Sequence, residues 1–98
     1  MSLRLQIRSV AKREHKDSIR RYERARLGLG LEYNRQVAKA LEIITSDPQR
    51  YPIAEGGVRV AGVPGFPYCI YYRVGPKTVT VIAIYHQKRI PDGWMDRI

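Results

Sequence analysis

The 98 residues are enough for one domain with a modest core, and the whole chain, residues 1–98, is expected to form it. Lys and Arg together number 18 against 9 Asp and Glu, so the net charge is +9, which favours phosphate backbones, acidic membrane surfaces or an acidic protein as the partner. No apolar run approaches the ~20 residues that span a bilayer, and the single cysteine excludes an internal disulfide, so we expect a cytoplasmic protein without membrane contact.

The N-terminal half predicts a strand followed by two helices. Apolar and polar residues alternate over residues 3–8, which indicates a half-buried strand. Ser9 then has the character of a helix N-cap, and a first helix is expected over about residues 10–25 with charges on most of its faces. Glycines in the stretch GLG at 28–30 end this helix. Apolar residues at helical spacing predict a second helix over about residues 29–46, so the two helices form a hairpin.

The C-terminal half predicts three strands. Residues 58–63, 66–74 and 78–85 are rich in β-branched and aromatic side chains, and the turn signal GPK at 75–77 separates the last two. The last strand is expected to be a central one, because nearly all of its residues favour strands. The resulting order, β-α-α-β-β-β, predicts an α+β fold in which a helical hairpin packs on one face of an antiparallel sheet.

Several distinctive residues are predicted to be structural. Cys69 lies among apolar residues and is expected in the core, whereas His15 should be exposed or paired on the surface of the first helix. Alternation places Tyr71 and Tyr72 on opposite faces of their strand, so one should be in the core and the other exposed to the solvent or to a partner. Trp94 is expected to dock on the core and anchor the C-terminal tail. Two histidines and one cysteine argue against a metal site.

His86 and four basic residues are the candidates for chemistry or binding. His86 ends the last strand, and an imidazole can transfer a proton near neutral pH while neighbouring cations stabilise charge on phosphate. The alternative is that His86 only ends the strand and hydrogen-bonds locally. Arg59, Arg73, Lys88 and Arg89 come from strands or their ends, and they form a candidate phosphate or carboxylate site for binding a partner. The alternative for them is a solvated face.

The segments GLGLEYNRQVAKALEII, DPQRYP, VR, FPYCIYYRV and VTVIAIYHQKRIPDGW, in this order, resemble the RelE/ParE toxins of bacterial type II toxin–antitoxin modules. The resemblance covers about residues 10–94 and agrees with the predicted order of elements. It implies a cognate antitoxin, which wraps an acidic or amphipathic segment across the toxin in a hetero-oligomer and suits the basic composition. No cofactor is expected.

The resemblance leaves the mechanism open between two branches. RelE-like members cleave mRNA on the ribosome with clustered Arg, Lys, Tyr or His side chains, whereas ParE-like members inhibit DNA gyrase. The nuclease branch often has an arginine where this chain has Pro67 and Tyr68. It also often has lysines before that strand, where residues 48–65 contain only Arg50 and Arg59 as basic residues. The chain therefore resembles the ParE-like branch more closely.

Three functional hypotheses follow. In the first, the chain is a ParE-like toxin that binds a cellular target, with DNA gyrase expected by family analogy, and it has no enzymatic activity. In the second, it is a ribosome-dependent mRNA endoribonuclease, in which His86 is the general acid or base while Arg59 and Arg89 hold phosphate. In the third, it is a basic RNA-binding module or a family member without toxicity.

Overall fold

The computed structural model describes residues 3–87, apart from the side chain of Glu55. Along the chain it contains β1 (Arg4–Ile7), α1 (Ser9–Ala25), α2 (Leu29–Ser46), a 3₁₀ turn (Glu55–Gly57), β2 (Arg59–Gly62), β3 (Tyr68–Val74) and β4 (Thr78–His86). The α+β class and the order β-α-α-β-β-β are confirmed. Neither helix in this range is long and apolar enough to cross a membrane.

The four strands form one mixed sheet in the order β1-β4-β3-β2. The neighbours β2–β3 and β3–β4 are antiparallel, as the sequence indicated. Strand β1 instead lies parallel to β4, with Leu5 opposite Val79 and Ile7 opposite Val81. A parallel partner requires a long crossover connection, which the helical hairpin and the following strands supply. Strand β4 is therefore central, as expected, and β1 is an edge strand.

Helix α1 begins directly where β1 ends. Arg8 has extended backbone angles and donates its N–H to the carbonyl of Val81 at 3.1 Å, which continues the β1–β4 pairing by one residue. Arg8 is therefore the N-cap residue, without a side-chain cap hydrogen bond, and Ser9 is the first helical residue. The prediction of Ser9 as the N-cap is wrong by one position, because the strand pairing fixes the start of the helix.

Glycines and one carboxylate join α1 to α2. Gly28 adopts a positive φ of 87°, which favours glycine, and immediately precedes α2. The Glu23 carboxylate accepts hydrogen bonds from the N–H groups of Gly28 at 2.9 Å and Gly30 at 3.0 Å, so it satisfies free donors at the start of α2. Gly30 packs so closely on α1 that an added Cβ would lie 2.6 Å from the carbonyl oxygen of Ile19. The hairpin is thus fixed by backbone contact.

The main core lies between the helical hairpin and one face of the sheet. Tyr33 of α2 is fully buried there, and its ring lies 5.0 Å from Tyr22, 5.2 Å from Phe66 and 5.1 Å from Tyr68. Such tilted and edge-to-face aromatic contacts stabilise beyond simple burial. The buried members of this core are Ala11, Tyr33, Val37, Ala40, Ile44, Ala61, Val63, Tyr68, Ile70, Tyr72, Val79, Val81 and Ile84.

A β-bulge builds a second apolar cluster on the other face of the sheet. Tyr71 pairs with Ala83 but Tyr72 pairs with Val81, so Ile82 is an extra residue in β4. The buried cluster consists of Val58, Tyr71, Ile82, Ala83 and Tyr85. Tyr71 and Tyr72 point to opposite faces, as predicted, but they are only 6% and 0% exposed. The expectation that one of them is exposed is wrong, because both faces of the sheet carry an apolar cluster.

Candidate functional site

His86 lines a small polar cavity between α1 and the end of β4. Its ring lies 5.3 Å from that of Tyr68, nearly edge to face, and Arg21 Nη1 donates to the Tyr68 hydroxyl at 2.9 Å. In the part of β4 that extends past its pairing with β1, the backbone N–H of Ile84 donates to Glu14 Oε1 at 3.2 Å. The cavity has a volume of about 120 Å³ and is lined by Glu14, Asp17, Ser18, Arg21, Tyr68, Ile84, Tyr85 and His86.

The cavity brings an imidazole near two carboxylates and one guanidinium, which are groups that can take part in acid–base chemistry. Its size limits what can enter: a water molecule takes about 30 Å³, and pockets for small-molecule ligands typically measure ~300–1,000 Å³. The cavity of about 120 Å³ therefore has room for a few waters and not for a nucleotide. Within residues 3–87, no group of three or more His, Cys, Asp and Glu side chains could hold a metal ion.

Arg59 fastens the segment that leads into β2. Its Nη1 donates to the carbonyl of Tyr51 at 2.6 Å and to that of Gln49 at 3.3 Å, and the side chain is half-buried. A guanidinium carries five N–H donors, so this arrangement leaves donors that could still contact a partner. A structural role is therefore visible at this position, and the predicted role in binding stays a prediction.

Arg73 lies near the opposite end of β3 and is exposed. It lines a shallow groove of about 270 Å³ together with Arg8, Val74, Gly75, Thr78 and Thr80. Two arginines and two hydroxyl groups beside one groove form a surface that can accept an anionic group. The groove is open and carries no geometry typical of catalysis.

The structure does not bring the described candidate residues into one cleft. Tyr68 pairs with His86, whereas Arg73 lies five residues further along β3, which corresponds to about 17 Å at ~3.4 Å per residue. Arg59 lies in β2, where it pairs with Tyr72 of β3, so it is two strands away from His86 in β4. Its side chain donates to the carbonyls of Tyr51 and Gln49. The remaining candidates, Lys88, Arg89 and the predicted tail anchor Trp94, lie outside the described residues.

The sequence interpretation missed the α1 side chains that surround His86. Glu14, Ser18 and Arg21 recur at i, i+4 and i+7, so they share one face of α1. That spacing was available in the sequence as a signal. It did not indicate a face that meets β4, because charged residues at helical spacing normally face solvent and only the packing of α1 on β4 brings them to the cavity.

His15 and Cys69, which were predicted to be structural, both pack against buried residues. His15 is half-buried, lies 5.3 Å from the ring of Tyr33, and its Nε2 is 2.8 Å from Asn34 Oδ1 of α2. Burial lowers the pKa of His15, and the hydrogen bond to Asn34 opposes this effect. Cys69 packs against the second cluster, and burial raises the pKa of its thiol. A raised pKa disfavours the reactive thiolate, as expected of a structural cysteine.

Comparison with known proteins identifies the family. The model of the ParE toxin of the type II toxin–antitoxin system parDE matches residues 5–91. No curated protein sequence matches the chain significantly. A chain from the chromosomal ParDE system of P. aeruginosa has a TM-score of 0.76 at 15% identity, over 87% of this chain and 96% of that one. A mutant of the E. coli toxin RelE in the free state has a TM-score of 0.72 at 17% identity, over 99% and 94% of the two chains.

Identities this low relate the structures by fold alone, whereas the family model spans most of the sequence. The resemblance to RelE/ParE toxins is thereby confirmed. The chain belongs to the ParE toxin family of type II toxin–antitoxin systems.

Proposed function

We propose that the chain inhibits growth in the cytoplasm by binding a cellular target, with DNA gyrase as the target by analogy with its branch of the family. The observation that supports a binding mechanism is the separation of the described candidate residues. Arg59 and His86 belong to strands at different positions of the sheet, and the cavity at His86, with about 120 Å³, has no room for a nucleotide. A toxin that only binds its target needs no assembled proton-transfer site.

We further propose that a cognate antitoxin neutralises the toxin in a hetero-oligomer. The charge of +9 favours an acidic partner segment. An apolar groove of about 400 Å³ lies between the edge strand β1 and α2 and suits the apolar side of such a segment. It is lined by Leu3, Leu5, Ala38, Leu41, Glu42 and Thr45. Co-expression with the adjacent reading frame should yield a tight complex and relieve toxicity.

The substitution His86→Ala tests the mechanism. Growth arrest should largely survive this change, because a binding mechanism moves no proton, and DNA supercoiling by gyrase should remain blocked in the presence of the purified variant. The controls are an unchanged melting temperature and an unchanged affinity for the antitoxin. A folded, antitoxin-binding His86→Ala variant that no longer arrests growth, in cells where the unmodified toxin blocks translation, would contradict the proposal.

A ribosome-dependent endoribonuclease is the second candidate, and the surroundings of His86 are the observation that favours it. The imidazole shares a cavity with Glu14, Asp17 and Arg21, which is a set of groups suited to acid–base chemistry near phosphate. General acid–base catalysis typically contributes ~10²–10⁴-fold in rate, so His86→Ala would then abolish cleavage. If expression causes neither growth arrest nor a block of supercoiling or translation, the chain is a non-toxic member of the family, such as a basic RNA-binding module.

A further inference from the structure

One exposed face of α1 carries a row of five cations, and the acidic residue on the same arc, the half-buried Glu23, directs its carboxylate to the N–H groups of Gly28 and Gly30. At 3.6 residues per turn, the five side chains lie within an arc of about 120°. From the first to the last, the row extends about 18 Å along the helix axis at a rise of ~1.5 Å per residue. We name it the α1 cationic stripe, and its members, all exposed, are Lys12, Arg13, Lys16, Arg20 and Arg24.

Neighbouring groups scarcely neutralise the α1 cationic stripe. Arg20 approaches Asp17 at 3.5 Å, but both side chains are more than half exposed, so this ion pair is weak. In the part of the chain that the structure describes, the other four members form no ion pair. Lys12–Lys16, Lys16–Arg20 and Arg20–Arg24 are like-charged neighbours at i, i+4, which destabilise an isolated helix. Like-charged neighbours of this kind do not stabilise a helix, so the arrangement is better explained by a partner that neutralises the charges.

The exposed face of α2 provides an internal contrast. Its two acidic and two basic residues balance, with Glu32 before Arg35 and Lys39 before Glu42, each opposite-charge pair at i, i+3. All four side chains are exposed. The excess of positive charge in the helical hairpin is therefore concentrated on α1 and is not a general property of its surface.

The chemistry of the α1 cationic stripe fits a phosphate backbone better than a polypeptide. Protein interfaces rely on apolar or aromatic anchors. The exposed large apolar side chains of the described range are Leu5, Leu27, Leu31 and Ile53, and none of them belongs to the stripe. Each strand of a duplex carries a phosphate every ~3.4 Å of axis, so the length of the stripe corresponds to about five phosphates of one strand. The five cations of the stripe therefore match about five phosphates in number and length.

We propose that the α1 cationic stripe binds the phosphate backbone of nucleic acid without reading its bases. This surface lies on the side of α1 that faces away from the sheet, whereas Glu14 and Ser18 on the opposite side face the cavity at His86. The inference is therefore independent of the target of the toxin, and it adds a second binding surface. Phosphate contacts fix position and affinity, and they make binding strongly dependent on salt.

A salt titration of duplex binding tests this inference. The affinity of the full chain for a fluorescently labelled 20-base-pair duplex is measured by anisotropy between 50 and 200 mM salt. With five phosphates neutralised, log K should fall against log salt with a slope of about −4.5, a loss of roughly 500-fold over this range. In the double variant Arg13→Gln/Lys16→Gln the slope should be about −2.7, a loss of roughly 40-fold. Glutamine keeps the helix propensity nearly unchanged.

The matched control is Arg35→Gln/Lys39→Gln on α2, which removes the same charge from the balanced face. Its slope should stay close to that of the unmodified chain. Equal slopes for the two double variants would mean that net charge alone drives binding, and the inference would be wrong. It would also be wrong if the α1 variant weakened binding of poly-glutamate while the duplex bound equally to both variants, since the stripe would then serve an acidic polypeptide. Unchanged circular dichroism spectra establish that both variants are folded.

Discussion

Gly30 shows how a single hydrogen atom in place of a side chain fixes the helical hairpin. In an exposed position of a helix, alanine stabilises relative to glycine by ~1 kcal/mol. At Gly30 the added Cβ would lie 2.6 Å from the Ile19 carbonyl oxygen and 3.1 Å from Glu23 Cβ. We therefore expect Gly30→Ala to destabilise the fold by about 1–3 kcal/mol, because overpacking against backbone forces α1 and α2 apart. Urea denaturation measures this difference in the free energy of unfolding.

The control for this prediction is Gly62→Ala. Gly62 lies in β2, and an added Cβ there would meet no atom within 4 Å. Its substitution should leave stability unchanged or raise it slightly, since alanine reduces the freedom of the unfolded chain. A Gly30→Ala protein that is as stable as the Gly62→Ala protein would show that the helices can separate without cost.

Arg59 and Arg73 were both predicted to bind a partner, and the structure distinguishes their surroundings. Arg59→Met removes the hydrogen bonds to the carbonyls of Tyr51 and Gln49, so we expect a loss of about 1–2 kcal/mol in the free energy of unfolding. Arg73→Met removes an exposed charge and should change it by less than about 0.5 kcal/mol. Thermal denaturation of the two variants provides the comparison, and equal stabilities would refute a structural role for Arg59.

At the scale of the elements, His15 makes the packing of α1 on α2 sensitive to pH. Burial lowers the pKa of His15 below its ordinary value of 6.5, so His15 binds a proton more tightly in the unfolded chain than in the folded one. The stabilising contribution of neutral His15 is therefore complete above about pH 6.5 and is lost as the pH falls toward the lower folded pKa. We expect the free energy of unfolding to decrease over this interval on acidification.

The variant His15→Gln isolates this effect, because glutamine can still hydrogen-bond Asn34 but does not titrate. As the pH is lowered from 7.5 to 5, the unfolding free energy of the unmodified chain should fall relative to that of His15→Gln. Carboxylates titrate in both proteins and cancel in the difference. A difference that is constant over this pH range would exclude His15 as the source.

The two helices and all four strands could be predicted from the sequence because their signals are local. Helical spacing and glycines defined α1 and α2 nearly to the residue, and runs of β-branched residues defined β3 and β4. The bulge at Ile82 could not be predicted, because nearly every residue around it favours a strand and no glycine marks it. The parallel pairing of β1 also lacked a signal, since it depends on where the hairpin returns the chain to the sheet.

The candidate site was predictable only in part, for a related reason. His86 at the end of the last strand was visible as a polar residue after an apolar run. Its neighbours Glu14 and Arg21 come from a helix that is distant in the sequence, and their charge is typical of a solvated surface. Patterns of hydrophobicity identify what a helix buries against a core, but they do not identify a polar face that closes over the end of a strand.

The parallel pairing of β1 with β4 has a consequence for the time course of folding. Arg4 must meet Thr78, so nearly the whole described chain has to be arranged before this strand can dock, whereas β3 and β4 meet across a short turn. Closing long loops slows folding, and contacts that form after the rate-limiting step act mainly on unfolding. The short edge strand would then govern how long a folded toxin molecule persists, while the β3–β4 hairpin and the helices govern how fast one is produced.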